Sequence, residues 1–246
     1  MSKFLFVIGY PVSHSKSPKM HNATLDRLGL LGEYTYNKAE IKDIKDVSKF
    51  LKLPSVHGAS ITIPHKETII PYLDEISDSA KIIGAVNTVY KKNDKLYGEN
   101  TDWFGFLETL KEEVDIKVLK NKTALVIGSG GASKAVVYAL KKIGMKIEIM
   151  SRTKKEIESL KVINKIEDTS HVKLIVNTTP LGMTGEYENQ TPIDKNFISK
   201  DHICFDVIYT PEKTRFLKDA KEKGAKIING EKMLKYQGEK AMSLWI

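Results

Sequence analysis

Six consecutive residues, Gly128-Ser129-Gly130-Gly131-Ala132-Ser133, stand where an aliphatic run at 123–127 gives way to an amphipathic stretch reaching Ile143. A strand that ends in glycines and then enters a helix suits a pyrophosphate, because a glycine has no side chain to hold the anion away from the backbone. The helix start adds N–H donors and the positive end of its dipole. The pattern is GxGGxS rather than GxGxxG, and an ordinary tight turn can carry the same letters. Gly128, Ser129, Gly130, Gly131 and Ala132 are the candidate cofactor-binding residues of this loop.

The strand that follows ends in Ser151-Arg152-Thr153-Lys154-Lys155. A loop that prefers NAD usually has an acidic residue about 20 positions on, to bind the ribose hydroxyls. Here that place is basic. Arg152 can stack on adenine and pair with a 2'-phosphate, while Ser151, Thr153 and Lys154 add hydrogen bonds and charge. The implied cofactor is NADP(H); the alternative is a solvated basic turn.

These residues need a scaffold of alternating strands and helices, and the chain supplies it. Apolar β-type runs at 4–8, 34–37 and 56–63 alternate with helical stretches ending near residue 28 and covering 43–51. A second series has strands at 123–127, 146–150, 174–176, 203–206 and 226–228, with a joining helix at 102–112. Between the basic turn and Leu174 the chain is short and polar, with Val162-Ile163 as its only candidate strand. The pattern predicts an α/β protein with largely parallel sheets. Ser17-Pro18 reads as an N-cap followed by proline in the first turn, which makes residues 9–17 a strand-to-helix loop.

Several blocks of this scaffold together resemble the shikimate dehydrogenase family. They are Gly9-Tyr10-Pro11-Val12-Ser13-His14-Ser15-Lys16-Ser17-Pro18, Ile61-Thr62-Ile63-Pro64-His65-Lys66, Gly84-Ala85-Val86-Asn87-Thr88 and Gly98-Glu99-Asn100-Thr101-Asp102. The glycine loop follows, then Asn177-Thr178-Thr179-Pro180-Leu181-Gly182-Met183, Asp206-Val207-Ile208-Tyr209-Thr210-Pro211, and the stretch from Gly230 to Gln237. The match spans nearly the whole chain in the family's order. Ser60-Ile61-Thr62 replaces the family's common Asn-Val-Thr, and Ser151-Arg152-Thr153 its common Asn-Arg-Thr.

The resemblance implies reversible NADPH-dependent reduction of 3-dehydroshikimate to shikimate, on the route to chorismate and the aromatic amino acids. It implies a two-domain α/β architecture: a substrate-binding domain at 1–101, completed by a C-terminal helix at 231–246, and a Rossmann-like NADP-binding domain at 102–230. By the same resemblance Lys66 and Asp102 are catalytic. Ser15, Ser17 and Tyr209 would hold the substrate carboxylate, while Thr62, Asn87, Asp102 and Gln237 would bond around the ring; helix capping is the alternative role for the serines. Asp78, Val207 and Gly230 are further cofactor-binding residues on this analogy. His65 and His14 are expected at capping or surface positions. Two rivals remain: a quinate/shikimate dehydrogenase using NAD, and a non-catalytic binder of nucleotide or a shikimate-like ligand.

Composition limits the remaining classes. With 41% hydrophobic and 28% charged residues the chain is an ordinary globular protein. Its longest apolar runs fall well short of the roughly 20 residues of a membrane helix. The start lacks the pattern of an export signal, so a cytoplasmic location is expected. The formal charge of +8 is spread among interleaved acids, without a nucleic-acid-binding signature. One cysteine and six histidines show no zinc-ligand spacing, so no metal is expected, and Cys204 reads as a buried core thiol. A small-molecule substrate and a monomer or homodimer complete the expectation.

Overall fold

The computed structural model describes residues 3–13, 15–152 and 160–246. The chain divides into two compact units, Met1–Thr101 with Gln237–Ile246, and Asp102–Tyr236. The first contains β1 (Lys3–Gly9), α1 (Ser17–Arg27), β2 (Tyr34–Glu40), α2 (Ile44–Leu51), β3 (Val56–Ile61), β4 (Glu75–Ile76), α3 (Asp78–Ile83), β5 (Thr88–Lys92) and β6 (Lys95–Glu99). Its sheet runs β2-β1-β3-β5-β6-β4.

Alternation along β1 explains why this sheet is covered on both faces. Leu5 and Val7 enter one apolar cluster with Leu25, Tyr36 and Trp245, whereas Ile8 joins the opposite cluster with Val47, Leu51, Ile61 and Val89. Local chemistry sets the helix starts. The Asp43 carboxylate accepts the Lys45 N–H at 2.7 Å to cap α2, and Ser77 accepts the Ala80 N–H at 3.1 Å to cap α3.

Three sequence expectations change here. The first sheet is mixed, not largely parallel: β1 is parallel to β2 and β3, but β5 is antiparallel to both β3 and β6. Asn93 and Asp94, at φ 51° and 59°, join β5 to β6 in two residues, which is a hairpin turn and too short for a crossover. The third strand stops at Ile61, and Ile63 is 69% exposed. Ser17 is the first residue of α1, not its cap; Lys16 holds the cap position, and the Ser17 N–H donates to Ser15 Oγ at 3.3 Å.

The second unit contains α4 (Asp102–Glu113), β7 (Thr123–Ile127), α5 (Gly131–Lys142), β8 (Lys146–Met150), β9 (Lys161–Ile163), β10 (Val172–Asn177), β11 (Ile203–Asp206), α6 (Arg215–Glu222), β12 (Lys226–Ile228) and the first part of α7 (Glu231–Trp245). Its sheet is parallel throughout, in the order β12-β11-β10-β7-β8-β9. This is the Rossmann order, with the direction of winding reversing between β7 and β10. Ala124 and Val126 face a core with Phe106, Val136 and Leu140, while Leu125 and Ile127 face another with Ile175, Cys204 and Phe216. Burial raises the Cys204 thiol to about 12, which leaves it inert as a nucleophile.

The division between the units falls inside α7 rather than at its start. Met233 packs in the second unit's core, whereas Ala241, Met242 and Trp245 pack in the first. In the first unit the Trp245 indole N–H donates to the Val89 carbonyl at 2.9 Å. Among the described residues no helix is long and apolar enough to cross a membrane.

His21 on α1 is 1% exposed, stacked on Tyr36 at 4.3 Å and edge-on to Trp245 at 5.2 Å. Burial pushes its imidazole down to about 3, from an ordinary 6.5. Because the folded value is depressed, its contribution to stability is present above about pH 6.5 and is lost as pH falls toward 3. Urea unfolding of the parent and of His21→Phe from pH 7 to 4 is expected to show the parent losing ~1.4 kcal/mol more per pH unit below 6. Parallel stability curves would assign the acid sensitivity elsewhere.

Candidate active site

In the first unit the chain leaves β1 and β3 at the same edge, where winding reverses direction, a place that carries ligand sites in open α/β sheets. The two exits are stitched together: the Thr62 N–H donates to the Ile8 carbonyl at 2.9 Å and the Tyr10 N–H to the Ile63 carbonyl at 2.9 Å. Gly9 is required by this approach, because a Cβ there would lie 2.4 Å from Thr62 Cγ2 and 2.7 Å from the Ile63 carbonyl oxygen. β2 adds two anchors for the same loop. Glu40 accepts the Val12 N–H at 3.0 Å, and the Lys38 ammonium donates to the Ser13 carbonyl.

Thr62 and Lys66, both half-buried, lie on the β3 exit, and Ser15 and Ser17 lie on the β1 exit. Asn87 reaches the same sheet from the start of β5. It is 3% exposed, with Nδ2 donating to Thr101 Oγ1 at 3.0 Å and Oδ1 accepting the Thr101 N–H at 2.6 Å. Gln237 Oε1 is 3.5 Å from Asn87 Nδ2 and 3.4 Å from Thr101 Oγ1. These bonds orient a carboxamide whose two ends would otherwise be interchangeable. The Lys66 carbonyl accepts the Val86 N–H at 2.7 Å, which brings the Lys66 loop beside Asn87. His65 contradicts its expected surface or capping role: it is 2% exposed, and its Nε2 lies 2.7 Å from the Ile41 carbonyl oxygen.

In the second unit the glycine loop sits between β7 and α5, at the reversal of that sheet. Gly128 has φ 120°, a conformation side chains rarely adopt, and a Cβ there would lie 2.4 Å from Thr178 Oγ1. A Cβ on Gly130 would meet nothing within 4 Å, so open space faces the loop. The helical ladder of α5 begins with the Lys134 N–H donating to Gly130 at 3.1 Å, so the N–H groups of Gly131, Ala132 and Ser133 precede it. This loop fits a dinucleotide pyrophosphate: backbone donors, a dipole and space coincide. Ser133 Oγ donates to the Gly128 carbonyl at 2.8 Å, and Ser151 Oγ donates to Ser129 Oγ at 3.0 Å, tying the loop to the end of β8. Arg152 follows as an exposed residue, while Thr153 and Lys154 lie outside the described residues, as does His14.

Two residues noted only as letters within matched blocks organise the remaining loops of this unit. Asn177 Nδ2 donates to the Leu181 carbonyl and to Asp206 Oδ1, each at 3.1 Å, and Oδ1 accepts the Thr179 N–H at 3.0 Å. Asp206, fully buried, accepts the Ile208 N–H at 3.0 Å and the Thr214 hydroxyl at 2.6 Å. The loop carrying Val207 and Tyr209 is thereby fixed, and the Gly230 N–H donates to the Ile208 carbonyl at 3.0 Å, bringing Val207 and Gly230 together. A strand-end Asn or Asp preceding a loop is the sequence signal for such anchors.

Asp102 opens α4 of the second unit. Asp78, expected near the cofactor, lies in the first unit on the first turn of α3, where its carboxylate is 94% exposed and pairs with Lys81 at 3.1 Å. No group of three or more His, Cys, Asp or Glu placed to hold a metal occurs among the described residues.

A Rossmann-order sheet with its glycine loop, joined to a mixed α/β unit with a second crossover site, defines the class: two-domain α/β proteins with a nucleotide-binding unit. Residues 7–89 match the family model for the shikimate dehydrogenase substrate binding domain. A curated relative, "Shikimate dehydrogenase (NADP(+))" of Aquifex aeolicus, is 43% identical over 97% of this chain and 89% of its own length. Among solved structures, a shikimate dehydrogenase in complex with NADP+ matches at TM-score 0.89 and 36% identity, covering 99% of this chain and 90% of that one. The Thermus thermophilus shikimate 5-dehydrogenase in complex with NADP(H) and shikimate matches at TM-score 0.88 and 35% identity, covering 99% and 93%. The chain belongs to the shikimate dehydrogenase family.

Burial holds the Asp206 carboxyl up at about 6, although Thr214, Ile208 and Asn177 all donate to its charged form. With the folded value raised above the ordinary 3.8, the associated stability is full below about pH 3.8 and is lost as pH rises through about 6. Relative to Asp206→Asn, which cannot titrate, the parent is expected to lose ~1.4 kcal/mol per pH unit across that window in denaturant titrations. A pH-independent difference between the two proteins would contradict this assignment.

Proposed function

We propose that this chain catalyses the reversible reduction of 3-dehydroshikimate to shikimate with NADPH. The observation that carries the reading is the gathering of Thr62, Lys66 and Asn87 with the Ser15–Ser17 segment at the carboxyl edge of one sheet, in a chain similar over its whole length to named NADP(+)-dependent shikimate dehydrogenases.

Bound NADPH supplies the hydride for the ketone carbon. Gly128 through Ala132 would cradle the pyrophosphate, and Ser151, Arg152, Thr153 and Lys154 would take the adenosine 2'-phosphate. Val207 and Gly230 would lie near the nicotinamide, and Asp78 would be a further cofactor contact on the family analogy. As the carbonyl electron pair moves onto oxygen, the Lys66 ammonium stabilises the growing negative charge and gives that oxygen its proton. Lys66 is reprotonated from solvent; in the oxidation direction the neutral amine takes the hydroxyl proton. Asp102 orients the hydroxyl and balances the lysine charge.

Ser15, Ser17 and Tyr209 hold the substrate carboxylate, and the start of α1 adds a favourable dipole. Thr62, Asn87 and Gln237 bond the ring hydroxyls; the fixed orientation of the Asn87 carboxamide supports its use as a selective donor and acceptor. The enzyme acts in the cytoplasm as a monomer or homodimer, a setting compatible with its single, buried thiol.

Lys66→Ala is expected to bind NADPH as the parent does, followed by nucleotide fluorescence, while turnover falls ~10²–10⁴-fold. Turnover near the parent's would remove Lys66 from the mechanism.

A further inference from the structure

His65 precedes Lys66, but its ring is buried and bonded rather than presented to solvent. Its Nε2 is 2.7 Å from the Ile41 carbonyl oxygen. A carbonyl oxygen only accepts, so the ring proton sits on Nε2. Ile41 directly follows β2, and its own N–H donates to the Gly9 carbonyl at 3.0 Å. Two hydrogen bonds therefore connect the residue before Lys66 to Gly9, the last residue of β1.

The backbone on either side is also held. The His65 N–H donates to the Thr62 carbonyl at 2.9 Å, and the Ile69 N–H to the His65 carbonyl at 2.9 Å. The Lys66 carbonyl takes the Val86 N–H at 2.7 Å. The imidazole bond comes from a side chain, so it can be altered by substitution without rewriting the backbone.

We propose that His65 is a positioning residue: by donating from Nε2 to Ile41 it locks the Thr62–Lys66 turn against the end of β2 and fixes the point from which the Lys66 side chain extends. This rests on the reading of Lys66 as the proton donor. A lysine stem has several rotatable bonds, so the placement of its ammonium depends on how firmly its Cα is held, and a displacement of about 1 Å at a reacting group can cost ~10²-fold in rate. Breaking the anchor should therefore lower turnover and leave cofactor binding alone.

The test compares two polar replacements in the full chain, with NADP+ and shikimate. In His65→Gln the amide nitrogen lies as many bonds from Cβ as Nε2 does and can reach Ile41; in His65→Asn it stops one bond short. The expected result is kcat within about threefold of the parent for the glutamine variant and a loss of about tenfold or more for the asparagine variant, with the KM for NADP+ unchanged in both. Equal kcat values for the two variants would overturn the proposal. If either fails to fold, nitrogen NMR of the parent decides: a slowly exchanging proton on His65 Nε2 is expected, and a ring protonated only on Nδ1 overturns it, since Nε2 could not then donate. Parent-like turnover in Lys66→Ala would remove the proton-donor reading itself. Lost turnover in that variant, beside equal Gln and Asn variants, would remove only the role of His65.

Discussion

There is no room for a methyl group between Gly9 and the turn that follows β3, where an added Cβ would overlap both Thr62 and the Ile63 carbonyl. That close approach lets two neighbouring parallel strands release their chains from the same edge while the chains trade backbone hydrogen bonds. Ser15, Ser17, Thr62 and Lys66 all hang from those two exits. The second unit uses the same device at Gly128, which lies against Thr178 at the exit of β10. In both units a reversal of winding opens the sheet edge, and a residue without a side chain allows the loops to meet there.

Buried polar side chains then give these loops a single arrangement. Asn87 in the first unit and Asn177 in the second each bond a backbone N–H two or more residues away and a side chain on another segment. Asp206 and Thr214 extend the second network. Burying such groups costs free energy unless every donor and acceptor is met, so they contribute less to net stability than to selecting one loop conformation over its competitors. The raised Asp206 carboxyl reflects that cost. The loops it holds carry Val207 and Tyr209, so stability is exchanged for placement where ligand residues are required.

Much of this was legible in the chain because its cause is local. The glycine loop, the strands of the second sheet and the helix after residue 102 follow from periodicity and from the special geometry of glycine. The β5–β6 hairpin was missed although Asn93-Asp94 is a turn signal, because the flanking lysines obscure the strand alternation. Ser17 looked like a cap by type, but the hydroxyl that accepts its N–H belongs to Ser15, a detail of backbone angle. The sequence points His65 to a capping or surface position, because its partner Ile41 is distant in sequence and brought near by the pairing of β1 with β2. Asp206 appeared only within a matched block, and its role emerged from three partners that meet only in the folded sheet.

Hydride transfer between NADP(H) and a shikimate ring on this fold can be followed by absorbance at the reduced-nicotinamide band with shikimate or quinate as donor and NADP+ or NAD+ as acceptor. Strong reduction is expected with shikimate and NADP+, and little with the other three pairs. A preference for NAD+ or quinate would contradict the cofactor and substrate assignments, and no reduction in any pair would contradict catalysis itself.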